Sequence, residues 1–97
     1  MDNLVEKITE WGREKGINNV DKQALKCGEE YGEVLTEICH GRLDSEELKD
    51  GIGDVTVTLI ILADILGFDY KECVEMAYNT IKNRTGTTID GNFIKSV

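Results

Sequence analysis

The segment Glu29-Glu30-Tyr31-Gly32-Glu33, with Glu37 one helical turn further on, gathers four acids into nine residues. On a helix turning about 100° per residue, Glu29, Glu30, Glu33 and Glu37 all fall within one arc of roughly 100°, joined only by Lys26 as a counter-charge. Like charges three or four residues apart repel by roughly 0.2–0.5 kcal/mol per pair, and the pairs 29/33, 30/33 and 33/37 all do so. Such a face is either a solvated surface or one whose repulsion a cation offsets. A second group of acids bears on the choice. Asp50 and Asp54 are four apart, and the face they head continues through Val57 and Ile61, with Asp64 beyond. Carboxylates heading an apolar face point into a bundle interior, where an ionised acid is costly without a cation. Two helices that aim carboxylates at a shared interior make an oxygen-rich site for a hard divalent cation, and Mg2+ prefers such ligands together with water and phosphate oxygens.

Other chemistries fit these residues less well. A di-iron bundle requires a Glu-x-x-His pair on each of two helices, and the one histidine, His40, stands seven residues after Glu33. An EF-hand loop opened at Asp44 would put Leu48 and Lys49 at its fifth and sixth positions, where an oxygen ligand and a glycine belong. The chain has no Gly-rich phosphate loop, and one histidine without a spaced Cys or Ser partner gives no nucleophilic triad.

The elements that must position the acids read as helices. Prolines are absent from the 97 residues, which favours long uninterrupted helices. Leu4, Val5, Ile8, Trp11 and Gly12 recur at helical spacing and predict a first helix from about Asn3 to Lys15, stopped at Gly16. Asn19 or Asp21 caps a second, whose apolar side includes Ala24, Leu25, Cys27, Tyr31, Val34, Leu35 and Ile38 and which ends at Gly41. Asp44 and Glu47 form a capping box for a third helix that runs to about Leu66, with Gly67 beyond. Its β-branched run from Val55 to Ile61 would also suit a buried strand, and Gly51 and Gly53 each cost a helix roughly 1 kcal/mol. The distance from cap to stop, about 22 residues, is far longer than a usual strand and favours the helix. Asp69 and Glu72 cap a fourth helix, with Cys73, Val74, Ala77, Tyr78 and Ile81 as its stripe up to Gly86. Beyond it, Thr87-Thr88-Ile89 and Asn92-Phe93-Ile94 flank Asp90-Gly91, the signal for a small hairpin or an extended tail.

Eleven Lys and Arg against nineteen Asp and Glu give a formal charge of −8. Nine of the acids, against only Arg42 and Lys49, lie between Glu29 and Asp54, so seven of the eight excess charges sit in 26 residues. The flanks are nearly neutral. A chain this acidic does not hold a nucleic-acid duplex by bulk charge. Its composition, 40% hydrophobic and 31% charged, is that of a folded domain. The longest apolar stretch, Val55 to Ala63, falls well short of the ~20 residues a bilayer demands, and Asp2 and Glu6 argue against a signal peptide, so no membrane is expected. Cys27, Cys39 and Cys73, at no metal-ligand spacing within apolar helical patterns, predict reduced core thiols and a cytoplasmic location. One domain is expected over 1–97, with 87–97 as a tail, and its size favours self-association.

With these residues in view, the chain resembles the MazG-like family of all-α nucleoside triphosphate pyrophosphohydrolases, over nearly its whole length. The family signature is Glu-Glu-x-x-Glu on one helix and Glu-x-x-Asp on the next. Glu29-Glu30-Tyr31-Gly32-Glu33 matches the first half, and Ile52-Gly53-Asp54-Val55 resembles the second. The resemblance implies an all-α, four-helix bundle-like MazG-type fold and an Mg2+ cofactor, or Mn2+ in its place, held by Glu30, Glu33 and Asp54. The Glu expected three residues before Asp54 is Gly51, and Asp50, one turn before Asp54, is the candidate replacement ligand.

The implied reaction is cleavage of a nucleoside or deoxynucleoside triphosphate to the monophosphate and pyrophosphate, with Glu29 as general base or as holder of a metal-bound water. The segment from Ala77 to Arg84 resembles the family's phosphate-contacting stretch, which makes Asn79, Lys82 and Arg84 candidate substrate contacts; a polar face near a helix C-terminus is the plainer reading. Lys26 either neutralises the acidic arc or meets a phosphate. His40 is a base contact or an ordinary helix end, and Trp11 packs in the core or forms a stacking wall. The family's habit implies a homodimer or homotetramer, with a tail that closes over substrate or pairs with a neighbouring chain. The competing expectation is a non-catalytic acidic bundle that serves as an oligomeric interaction module, against which Asp50 and Asp54 on an apolar face weigh.

Overall fold

Cap chemistry sets where the helices begin. The structure is a computed structural model that describes residues 2–96; it has helices α1 (Asp2–Glu14), α2 (Val20–Cys39), α3 (Glu46–Ile65) and α4 (Tyr70–Ile81). Strands β1 (Gly86–Ile89) and β2 (Asn92–Lys95) close the described chain. The fold is all-α and bundle-like, with a short C-terminal hairpin. At the helix starts, Asn19 Oδ1 accepts from the Lys22 N–H at 2.9 Å, Ser45 Oγ from the Leu48 N–H at 3.1 Å and Asp69 Oδ1 from the Lys71 N–H at 2.9 Å. Each oxygen satisfies a donor the helix leaves unpaired. The cap of α3 is therefore Ser45, one residue after the expected Asp44, which leaves Glu46 and Glu47 in the first turn where the helix dipole favours acids.

The β-branched run Val55–Ile61 is helical, as expected. Packing outweighs its strand propensity, since Ile60 is 1% and Ile61 4% exposed on the side that meets the other helices. The α4 helix stops at Ile81, short of the expected Gly86, because Gly86 belongs to the hairpin. There it pairs with Lys95, and a Cβ on it would collide with the Ile94 carbonyl and stand 2.7 Å from Phe93 Cζ. The turn is Asp90-Gly91, with positive φ at both residues (51° and 79°), the conformation a two-residue type I′ turn demands. The tail is thus a hairpin.

Helix α3 is the hub, with α1, α2 and α4 all packed against it. Two glycines permit the closest approaches: a Cβ on Gly12 of α1 would lie 3.1 Å from Ile61 Cγ1, and one on Gly51 of α3 3.2 Å from Val34 Cγ2 of α2. The bidentate Arg13–Asp64 pair, at 2.6 and 2.9 Å, fastens the end of α1 to α3. α3 and α4 meet at 106°. No single helix is long and apolar enough to cross a membrane.

The apolar stripe of α2 is divided. Gln23, Cys27, Glu30, Val34 and Glu37 are its buried or half-buried residues, whereas Leu25, Tyr31, Leu35 and Ile38 are 44–70% exposed. Two expectations about the core change. Cys27 is half-buried and Cys39 and Cys73 are exposed, so these are not core thiols. Trp11, at 48% exposure, is not core either.

Candidate functional site

The turn-by-turn spacing of α2 puts Gln23, Lys26 and Glu30 along one side of the helix, and Gly51 lets α3 lie close enough to bring Asp54 opposite them. An open cleft of about 650 Å3 lies at this junction, with Trp11, Lys22, Gln23, Lys26, Glu30, Asp54, Val57 and Thr58 in its walls. A second crevice, of about 340 Å3, lies along the same helix pair and is lined by Glu33, Glu37, Glu47, Asp50 and Asp54. Asp54 borders both.

Four of the expected acids are brought together as two pairs, Glu30 with Glu33 on α2 and Asp50 with Asp54 on α3. The neighbouring Glu30 charge holds the Glu33 carboxyl above the usual carboxylate range, and the two share a hydrogen bond when one is protonated. Burial first, then the charges of Asp50 and Glu30, pushes the Asp54 carboxyl up as well. Each helix's acid thus feels the other's. Among the described residues, the close counter-charge is Lys26, whose Nζ lies 3.2 Å from Glu30 Oε1 and 4.0 Å from Glu29 Oε2. Hydrogen bonding to Glu30 raises the Lys26 ammonium, which stays protonated at neutral pH.

Glu37, the fourth acid of the arc, is withdrawn from this group. Arg42 Nε donates to its Oε2 at 2.6 Å, and that pairing holds its carboxyl below the usual range. Glu29 is 68% exposed at the outer edge of the arc. His40 is the exposed C-cap of α2, and Asn79, Lys82 and Arg84 are exposed on or just beyond α4, none of them lining the cleft. The structure therefore gathers Lys26, Glu30, Glu33, Asp50, Asp54 and Trp11 around one junction and leaves His40 and the α4 group outside it.

Among the described residues, no group of three or more His, Cys, Asp or Glu side chains is gathered as a ligand set for one metal ion. The donors do fit Mg2+ in kind. They are all carboxylate oxygens, arranged in twos, and Mg2+ keeps several waters and binds through one or two carboxylates plus substrate phosphates, with no need of an all-protein cage.

The residue that spacing alone did not single out is Gln23. It is 7% exposed, its Nε2 donates to the Thr58 carbonyl at 3.1 Å, and it lines the cleft. Its signal was present: it stands seven residues, two turns on the same face, before Glu30. No family model, curated protein or solved structure matches the chain.

Proposed function

We propose that the protein is an Mg2+-dependent nucleoside triphosphate pyrophosphohydrolase of the MazG-like kind, working as a homo-oligomer. The observation that carries this reading is the meeting of two carboxylate pairs from two helices, with Glu30 and Asp54 in the wall of a cleft large enough for a nucleotide. Interaction surfaces have no need to turn Asp54 inward, at a cost in desolvation. Glu30 with Glu33, and Asp50 with Asp54, would hold Mg2+ as pairs, with water and phosphate oxygens as the other ligands. Bound there, Mg2+ supplies positive charge for phosphate oxygens and acidifies a coordinated water.

The chain's own groups do the rest. Lys26, 3.2 Å from Glu30, places an ammonium between the acids and the cleft and neutralises an incoming phosphate oxygen. Glu29, free in solvent beside Lys26, takes the proton from the attacking water. The water oxygen bonds to the α-phosphorus, the bridging P–O bond breaks, and pyrophosphate leaves with that electron pair. Asn79, Lys82 and Arg84 do not line their own chain's cleft, and in a homo-oligomer they would serve that of a second copy.

The test is pyrophosphate release from each of the eight common nucleoside triphosphates with Mg2+ and with chelator. Release from at least one, dependent on metal and reduced roughly 100-fold or more in Glu33→Gln, is expected. Absence of release from all eight, together with no rise in melting midpoint on adding Mg2+ at fixed ionic strength, leaves only the acidic interaction module.

A further inference from the structure

Gln23 is a carboxamide buried to more than nine-tenths, in the wall of the 650 Å3 cleft. Buried amides are used at both ends, because an unmet donor or acceptor carries its full desolvation cost. Here only one end is met from within the chain. Nε2 donates to the Thr58 carbonyl at 3.1 Å, and among the described residues Oε1 has no hydrogen-bond partner. Nor is Oε1 a sealed orphan: among the described residues no buried side-chain oxygen or nitrogen lacks a partner, so this oxygen keeps some access to solvent, and the hollow that Gln23 lines is the cleft. The bond to Thr58 also fixes the polarity of the amide. With one N–H held by α3, the oxygen keeps its place as an acceptor, since turning the amide over would break that bond.

We propose that Gln23 reads the base of the nucleotide, and that it selects bases carrying an exocyclic amino group. Trp11, half-exposed in the same cleft, supplies the flat apolar surface on which a base lies. That acceptor distinguishes the bases by what flanks the donor it meets. The imide N–H of uracil or thymine stands between two carbonyl oxygens, both of which repel Gln23 Oε1. The amino group of cytosine or adenine has a single ring-nitrogen acceptor beside it and reaches past the edge of the ring. The inference rests on the nucleotide reading above.

Trp11 is the only tryptophan, so its fluorescence reports on this cleft without metal or turnover. Titration of the intact protein with nucleosides compares cytidine with uridine and adenosine with inosine, each pair differing by amino against keto. The expected result is tighter binding of the amino member by roughly tenfold, the weight of one hydrogen bond. In Gln23→Met, close in size but without an acceptor, the ratio falls to near one. Equal binding within both pairs, an absent response, or a preference that survives in Gln23→Met overturns the proposal. The wild-type ratios decide by themselves if the buried substitution unfolds the chain. The two readings fail separately: an amino preference without pyrophosphate release from any triphosphate removes the catalysis and leaves the base site, and release without an amino preference does the reverse.

Discussion

At the scale of single residues, the acids fall into two groups with opposite consequences for pH. Glu33 and Asp54 have folded-state pKa values above their unfolded ones, through Glu30 in the first case and burial in the second. For such groups the native state binds more protons, so stability falls as pH rises from the ordinary carboxylate range near pH 4 through their raised values. Asp64, held down by Arg13, and Glu37, held down by Arg42, work the other way: their contribution is complete above the unfolded value and is lost in acid. The metal-free protein should therefore be most stable at mildly acid pH, with a lower midpoint at pH 7 than at pH 5, and saturating Mg2+ should reduce that difference. A chelated midpoint that climbs steadily from pH 5 to 7 would contradict the raised values of Glu33 and Asp54. Asp50→Asn is expected to lower turnover by about tenfold or more, and wild-type turnover in that variant would remove Asp50 from the ligand set. These acids were legible because their meaning lies in spacing along one helix. Gln23 was not, because its meaning depends on Thr58, 35 residues away.

Among the elements, the same contrast recurs. Glycine stops and the absence of proline gave the four helices, and the enclosed length of α3 correctly outweighed its β-branched run. Less was visible where two neighbouring residues have equal chemistry. Asp44 and Ser45 are both good caps, and only the geometry of the turn before α3 selects Ser45. The end of α4 was misplaced because a glycine signals a helix stop and a close strand contact alike. Gly86 is the second kind, with the Phe93 ring over it and the Ile94 carbonyl against it. Gly86→Ala should accordingly abolish the cross-strand nuclear Overhauser contacts of Thr88 with Phe93 and Thr87 with Ile94 while leaving helical circular dichroism within about 5% of wild type. A hairpin that persists in Gly86→Ala would show that the strand contact does not govern where α4 ends.

The whole molecule has more surface than one chain of its mass should. Its accessible area is 7502 Å2 for 10.8 kDa, against roughly 5,500 Å2 expected of a folded monomer. Its radius of gyration is 15.9 Å where about 13 Å is usual for this length. The surplus, roughly 2,000 Å2 per chain, is the area an obligate homodimer buries. Much of it is the exposed side of α2, with Leu25, Tyr31, Leu35 and Ile38, and the exposed Val74, Met76, Tyr78 and Ile81 of α4. Sedimentation should find a dimer or tetramer at micromolar concentration. Leu35→Lys, which puts a charge in that face, should shift the protein toward monomer and cost several degrees in midpoint. A wild-type monomer at those concentrations would sink the shared-site account of Asn79, Lys82 and Arg84.

The placement of α4, packed on α3 beyond a 106° corner and tied to α1 only through the exposed Lys71–Glu6 pair, has a consequence for how the molecule comes apart. In the homo-oligomer proposed above, α4 would be held on one side by its own chain and on the other by association, and its local opening free energy would be set by protein concentration. On dilution the backbone amides of α4 should begin to exchange with deuterium while those of α2 and α3, held by the buried Val34, Ile60 and Ile61, remain protected. Concentration would then act on this protein as temperature acts on others, melting the last helix first.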